Sequence, residues 1–323
     1  MAVSRSWRQH TVDGPHRARL EEVPELNQVF SEAFTERYRR DGMVGVRVPY
    51  LNPAIWRYAI EDAADGAMLW RDERGRIVAF NMIHRSGAEG WMGPLAVRTE
   101  MQGSGTGKEI VTRGVEWLKT QGARVIGLET MPRTMDNIGF YSRLGFVPGR
   151  LTITTTVDAA YDGEPARLLS RTSARSRTDT LLECQALVQR VSPGYDYTRE
   201  ISLTAELGLG DTVLLYDGDR LIGFALAHTA SLVEGRTREE LRVLKLVVED
   251  GTRFLDLVRA VSDFARRSGT RRVALRLQGE FDRAYAQVIA MGGHVRWTDL
   301  RMAVAGYDER RPRQGMVLSN WEI

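Results

Sequence analysis

The sequence contains a single cysteine, Cys184, so no disulfide can close within the chain. Its setting, TLLECQALVQ, has helical apolar spacing and no neighbouring histidine, which makes the thiol core filler rather than a nucleophile. Histidines are equally sparse. The five (His10, His16, His84, His228, His294) are scattered, with no HExxH or paired-cysteine spacing, so no metal site is expected. No run reaches the ~18 uninterrupted apolar residues that a membrane helix needs. The opening MAVSRSWRQH lacks the apolar core of a secretory signal, and a cytoplasmic protein away from membranes is the default expectation. An excess of one charge is missing too: 45 basic residues face 42 acidic ones, for a net charge of +3. The basic run ARLLSRTSARSR (166–177) lacks interleaved aromatics and reads as a solvated linker, not a nucleic-acid surface.

What remains is the mixture of a soluble globular protein, 43% apolar and 27% charged over 323 residues, long enough for two domains. Helical spacing marks VPELNQVFSEAF and NPAIWRYAIEDA, the second opened by Asn-Pro. GAMLWRDERGRIVAFNMIHR reads as a hairpin and EGWMGPLAVR as a further strand. A helix over GTGKEIVTRGVEWLKTQG, a strand RVIGLETM, a helix TMDNIGFYSRLG and strand material FVPGRLTITTTVD follow. The second half repeats this rhythm, from TLLECQALVQRV and TREISLTAEL through the hairpin DTVLLYDGDRLIGFALAH to terminal strands ending in RWTDLRMAV. KTQGARVIGLE matches RRSGTRRVALR, and SRLGFV matches AMGGHV, about 148 residues apart. A period that long means a duplicated domain. The expected division is 1–157, a linker at 158–178 where periodicity gives way to Gly, Pro, Ser and Arg, and 179–323.

The stretch QGSGTGKEI (102–110) lies between a strand and a helix, where a glycine-rich approach lets a phosphate reach unpaired helix N–H groups. The dinucleotide pattern GxGxxG does not fit it. The P-loop pattern fails as well, because Lys108 is followed by Glu109 instead of a hydroxyl. Gln102-x-x-Gly105-x-Gly107 does fit, and resembles the acyl-CoA pyrophosphate loop of the GNAT superfamily of N-acyltransferases. NIGFYSRLGF (137–146) resembles that superfamily's second signature. The resemblance covers residues 18–157 and implies an α/β (α+β) fold of two GNAT-like domains, each a mixed central sheet flanked by helices.

The resemblance further implies a donor, acetyl-CoA or another acyl-CoA, and no metal. Gln102, Gly103, Ser104, Gly105, Thr106, Gly107 and Lys108 would seat the pyrophosphate. Pantetheine would lie against the main chain of Leu95 and Val97, beyond Gly93-Pro94, where proline interrupts the ladder. Asn137 and Tyr141, four apart on one helix face, would bind the cofactor and protonate the leaving thiolate. Glu129 and Glu89 are the candidate bases, with His84 third. In the second half the loop VVEDGTRFLDL keeps one glycine and adds Glu249 and Asp250, which would repel a pyrophosphate; Ile289 and His294 replace the signature residues. That half is expected to be a degenerate copy that packs, shapes an acceptor pocket or dimerises. The expected function is transfer of an acyl group to a small-molecule or peptide amine, without nucleic acid or membrane. Decarboxylation or transfer of malonyl-type or carrier-bound thioesters, and non-catalytic acyl-CoA binding, are the alternatives.

Overall fold

A computed structural model describes residues 12–161 and 163–321; the opening stretch 1–10, with His10, lies outside the described residues. The first half runs β1 (Asp13–Arg17), α1 (Val23–Arg40), α2 (Pro53–Ala63), β2 (Ala67–Arg71), β3 (Ile77–Ser86) and β4 (Glu89–Val97). It continues with α3 (Thr106–Thr120), β5 (Val125–Thr130), α4 (Met135–Arg143) and β6 (Phe146–Asp158). Asn-Pro starts α2 as expected: Pro53 needs no N–H partner at that position, and the Asn52 side chain accepts from the N–H of Ala54 at 3.0 Å.

The second half repeats the order with β7 (Arg167–Leu168), α5 (Ala174–Val191), α6 (Thr198–Glu206), β8 (Gly210–Asp217), β9 (Arg220–His228) and β10 (Glu240–Val248). Then come α7 (Phe254–Arg267), β11 (Arg272–Gln278), α8 (Asp282–Ala290), β12 (His294–Val304) and an additional strand, β13 (Met316–Ser319). Residues 158–178, expected as a linker, include β7, paired with β8, and the first turn of α5, whose N–H of Ser176 is capped by Ser173 at 3.2 Å. Short, polar and arginine-rich, this segment carries too little apolar periodicity to announce either element.

Among the described residues all the strands join one sheet, in the order β1-β2-β3-β4-β5-β12-β6-β11-β10-β9-β8-β7, with β13 on β10. The two halves exchange their last long strands. β12 of the second half lies between β5 and β6, while β6 of the first half pairs with β11 and β12. A boundary at 157 therefore divides the sequence but not the sheet.

One face of the first half buries Leu26, Val29, Trp56 and Phe80 under α1 and α2. The other packs α3 and α4 onto Met92, Ile126 and Leu128. Gly114 lets α3 approach closely, since a Cβ there would stand 2.6 Å from the Met92 sulfur. A third cluster spans the seam between the halves, joining Ile55, Trp91 and Val125 to Leu187, Tyr197, Leu244 and Trp321.

Candidate active site

Parallel pairing between β4 and β5 runs from Glu89↔Val125 to Met92↔Leu128 and stops there. Against β3, β4 carries an extra residue at Gly93-Pro94, because Met92 faces Ile83 while Leu95 faces Asn81. This bulge bends β4 away from β5 and opens a wedge. Arg98 donates its N–H to Val78 of β3 at 2.8 Å, so backbone alternation turns the groups of Val97 and Leu95 toward the open edge.

A cavity of about 420 Å³ occupies this wedge. Its walls bring together Leu95 and Val97 from β4, Gln102, Gly103, Gly105, Gly107 and Lys108 from the glycine loop, and Asn137 and Tyr141 from α4. Stations separated by more than forty residues in sequence thus meet in one cleft. Ser104 and Thr106 do not line it; the Ser104 hydroxyl bonds the carbonyl of Met101 at 2.6 Å and the Thr106 hydroxyl at 2.9 Å, bracing the loop from behind.

The loop conformation explains the glycines. Gly103 and Gly105 sit at φ 81° and 96°, where a side chain strains the backbone, and Gly105 is the residue from which α3 starts. The free N–H groups of the first turn of α3 are then exposed to an anion. The Gln102 amide donates to the carbonyl of Val97 at 3.1 Å and accepts from Arg40 at 2.8 Å, tying the loop to β4 and α1. Arg37 and Arg40, three residues apart on the last turn of α1, were not singled out from sequence. The only sign of them was the basic turn ERYRR.

Burial pushes the Tyr141 phenol well above its ordinary value, so it remains protonated through the physiological range. Among the described residues its hydroxyl has no hydrogen-bond partner, and Tyr141 lines the cavity. Asn137 contacts Thr130 at 3.4 Å.

The expected bases lie elsewhere. Glu129 is buried between Arg276 at 2.6 Å and Arg301 at 3.0 Å, and accepts from the Thr152 hydroxyl. Burial alone would raise its pKa, but the two guanidinium charges and the Thr152 bond override it and hold it at about 2. Such a carboxylate does not take protons near neutrality. Glu89 is fully buried at the paired end of β4, bonded to Trp321 at 2.8 Å, Ser319 at 2.9 Å and Tyr197 at 3.2 Å. His84 is bonded to Asp62 at 2.5 Å and stacked on Trp91 at 4.1 Å. None of the three lines the wedge. The partners that occupy these groups come from distant strands and helices, beyond the reach of a local reading. Burial pushes the Cys184 thiol up to about 12, in keeping with core filler.

The second half has lost its wedge by another route than expected. β10 pairs with β11 only over Glu240–Arg242; from Lys245 to Val248 the same edge is taken by β13, Ser319 to Met316. The position matching the open wedge is filled by the chain's own strand. Asp250 caps the N–H of Thr252 at 2.8 Å, occupying the would-be anion seat. Glu249 was expected to repel phosphate, but its charge is paired with Arg190 at 2.9 Å and Arg220 at 2.6 Å. Among the described residues no group of three or more His, Cys, Asp or Glu is placed to hold a metal ion, and no helix is long and apolar enough to cross a membrane.

Residues 25–146 match the acetyltransferase (GNAT) family model. No match was found among curated protein sequences. Among solved structures, a GCN5-related N-acetyltransferase from Sphaerobacter thermophilus aligns over 98% of this chain and 99% of its own, with a TM-score of 0.56 and 14% identity. A tandem GNAT protein from the clavulanic acid biosynthesis pathway aligns over 91% of this chain and 98% of its own, at TM-score 0.59 and 13% identity. Saccharomyces cerevisiae N-myristoyltransferase with bound myristoyl-CoA aligns over 94% and 84%, at TM-score 0.59 and 10% identity. At these identities the likeness is one of fold.

Proposed function

We propose that this chain moves an acyl group from acyl-CoA, most simply acetyl-CoA, to an amine: residues 25–146 match the GNAT acetyltransferase family model, and the whole chain shares the fold of tandem GNAT proteins. The observation that carries this reading is the wedge. The glycine loop, the open β4 edge and Tyr141 line one cleft, which supports a donor whose pyrophosphate, pantetheine and thiolate would meet them in turn.

The pyrophosphate sits on the N–H groups that open α3, beside Lys108 and Arg40. Pantetheine adds to β4 as a short strand through Leu95 and Val97, and one of these N–H groups polarises the thioester carbonyl. The neutral amine attacks the carbonyl carbon, the C–S bond breaks, and the thiolate takes the Tyr141 proton. No side chain of the three expected bases is assigned the amine proton; water at the mouth of the wedge relays it to the Tyr141 phenolate and so restores the phenol, with no net release of a proton. Transfer is direct, without an acyl-enzyme.

The decisive experiment is a thiol-release assay with acetyl-CoA against small amines, amino acids and peptides, comparing wild type with Tyr141→Phe. Amine-dependent thiol release that falls sharply in Tyr141→Phe supports the reading. CoA binding without release for any acceptor would favour a binding module, and release without an acceptor but with loss of CO2 from malonyl-CoA would favour a decarboxylase.

A further inference from the structure

A second cleft, of about 1180 Å³, lies at the other end of the β4–β5 pairing from the wedge, beside the first rung Glu89↔Val125. The turn into β5, the end of α5 and the segment 306–314 between β12 and β13 form its walls, so both halves contribute to it. Among the described residues five arginines line it, Arg124, Arg190, Arg310, Arg311 and Arg313, against one carboxylate, Asp308. In a chain whose net charge is only +3, this is a local concentration of positive charge.

The neighbouring carboxylates are already engaged. Glu309 is held by Arg301 at 2.9 Å, and Glu249 by Arg190 at 2.9 Å and Arg220 at 2.6 Å. Among the described residues Arg124, Arg310, Arg311 and Arg313 form no ion pair. Arg124 donates to the carbonyl of Pro193 at 2.6 Å, and Arg311 lies 5.1 Å from the centre of the Phe281 ring. Arg310 and Arg313 are exposed. The segment that carries them is pinned at both ends: the carbonyl of Tyr307 accepts from Ile126 at 3.1 Å, and β13 is seated on β10 from Met316 onward.

We infer that this cleft docks an acidic polypeptide segment of a partner protein, whose successive carboxylates meet the guanidinium forks one by one. The helix ends that border it are C-terminal: α3 stops at Thr120, three residues before Ala123, and α5 stops at Val191 in the wall. Helix C-termini present carbonyls, not the N–H cradle that seats a compact phosphate, so a ligand's charges are met at side-chain tips spread along the segment. The tyrosines of the wall are engaged as well. Lys119 lies over the Tyr307 ring at 5.0 Å, and Tyr195 is buried against Tyr197, so the stacking platforms used for single-stranded nucleic acid are not offered. The cleft is also larger than the roughly 300–1,000 Å³ usual for small-molecule sites.

The test is fluorescence anisotropy of a labelled glutamate dodecapeptide titrated with the full chain at low ionic strength. Wild type should bind it saturably, and Arg310→Glu/Arg313→Glu should weaken binding by about tenfold or more. Arg175→Glu/Arg236→Glu, which makes the same change in net charge at exposed positions outside the cleft, should stay within about twofold of wild type. Arg310→Gln/Arg313→Gln, which only removes the charges, should lose part of the affinity, and it decides the matter if the reversal unfolds the chain. No saturable binding, or equal loss in the cleft and control variants, overturns the inference. Tighter binding of an oligothymidylate of the same length overturns it in favour of nucleic acid.

Discussion

Gly105 carries the heaviest constraint in the loop, since it lines the cavity at a φ of 96° and is the residue from which α3 starts. A side chain there strains the backbone, and a carboxylate also places negative charge where the pyrophosphate belongs. Gly105→Asp is therefore predicted to abolish CoA binding measurable by calorimetry, with the melting temperature lowered by only a few degrees: the backbone strain costs about 1–3 kcal/mol, and no atom lies within 4 Å of the added Cβ. For Tyr141→Phe the expectation is a fall in kcat of about a hundredfold or more, with the CoA Kd within about twofold. Equal turnover would remove Tyr141 as the proton donor. Glu129 behaves oppositely. Breaking a buried ion pair on one side costs about 3–5 kcal/mol, so Glu129→Gln should show its effect in denaturant unfolding. Because the folded pKa of Glu129 is depressed from 4.5 to about 2, its stabilisation is full above 4.5 and is lost as pH falls through 2. At this scale the glycines, Asn137 and Tyr141 were legible in the sequence because each belongs to a short local pattern. The locked state of Glu129 was not, because Arg276 and Arg301 come from the second half and nothing local announces the pairing.

Among elements, β13 matters most and was least visible. Four residues, MVLS, follow a run of charged and polar residues, too short for a period of two to stand out. Its place depends on Gly315, at φ 73°, where a Cβ would stand 2.4 Å from the carbonyl oxygen of Val248. Gly315→Val should unseat the strand, and hydrogen exchange should show lost protection at residues 316–319 and at the β10 edge they cover. Retained protection would mean that β13 is held by its side chains alone. By contrast the glycine-loop helix and the strands beside it were readable, since amphipathic spacing and the Gly-Pro break are properties of the segment itself. The extra residue at Gly93-Pro94, legible as an interrupted ladder, became a wedge only through the pairing of its neighbours.

On the scale of the molecule, duplication was legible from matched stretches, but strand exchange was not. Two copies with the same rhythm can close as separate sheets or trade their last strands, and the pattern of apolar residues is the same in both. Here β6 has no partner strand from its own half, so residues 1–157 expressed alone should lack a cooperative unfolding transition and recover one when 158–323 is supplied. The seam also has a pH signature. Burial, with the charge of Asp62 nearby, raises the Glu200 carboxyl to about 8. A raised folded pKa means that this group's favourable contribution is complete below 4.5 and is lost as pH rises through 8. Glu200→Gln should therefore match wild type in melting temperature near pH 5 and exceed it near pH 8.

The architecture leaves one wedge open and fills the other with its own strand. Calorimetric titration of CoA into the full chain tests that asymmetry most directly. The account predicts one CoA per chain in wild type and none in Gly105→Asp. Two equivalents per chain, or one that survives Gly105→Asp unchanged, would contradict it.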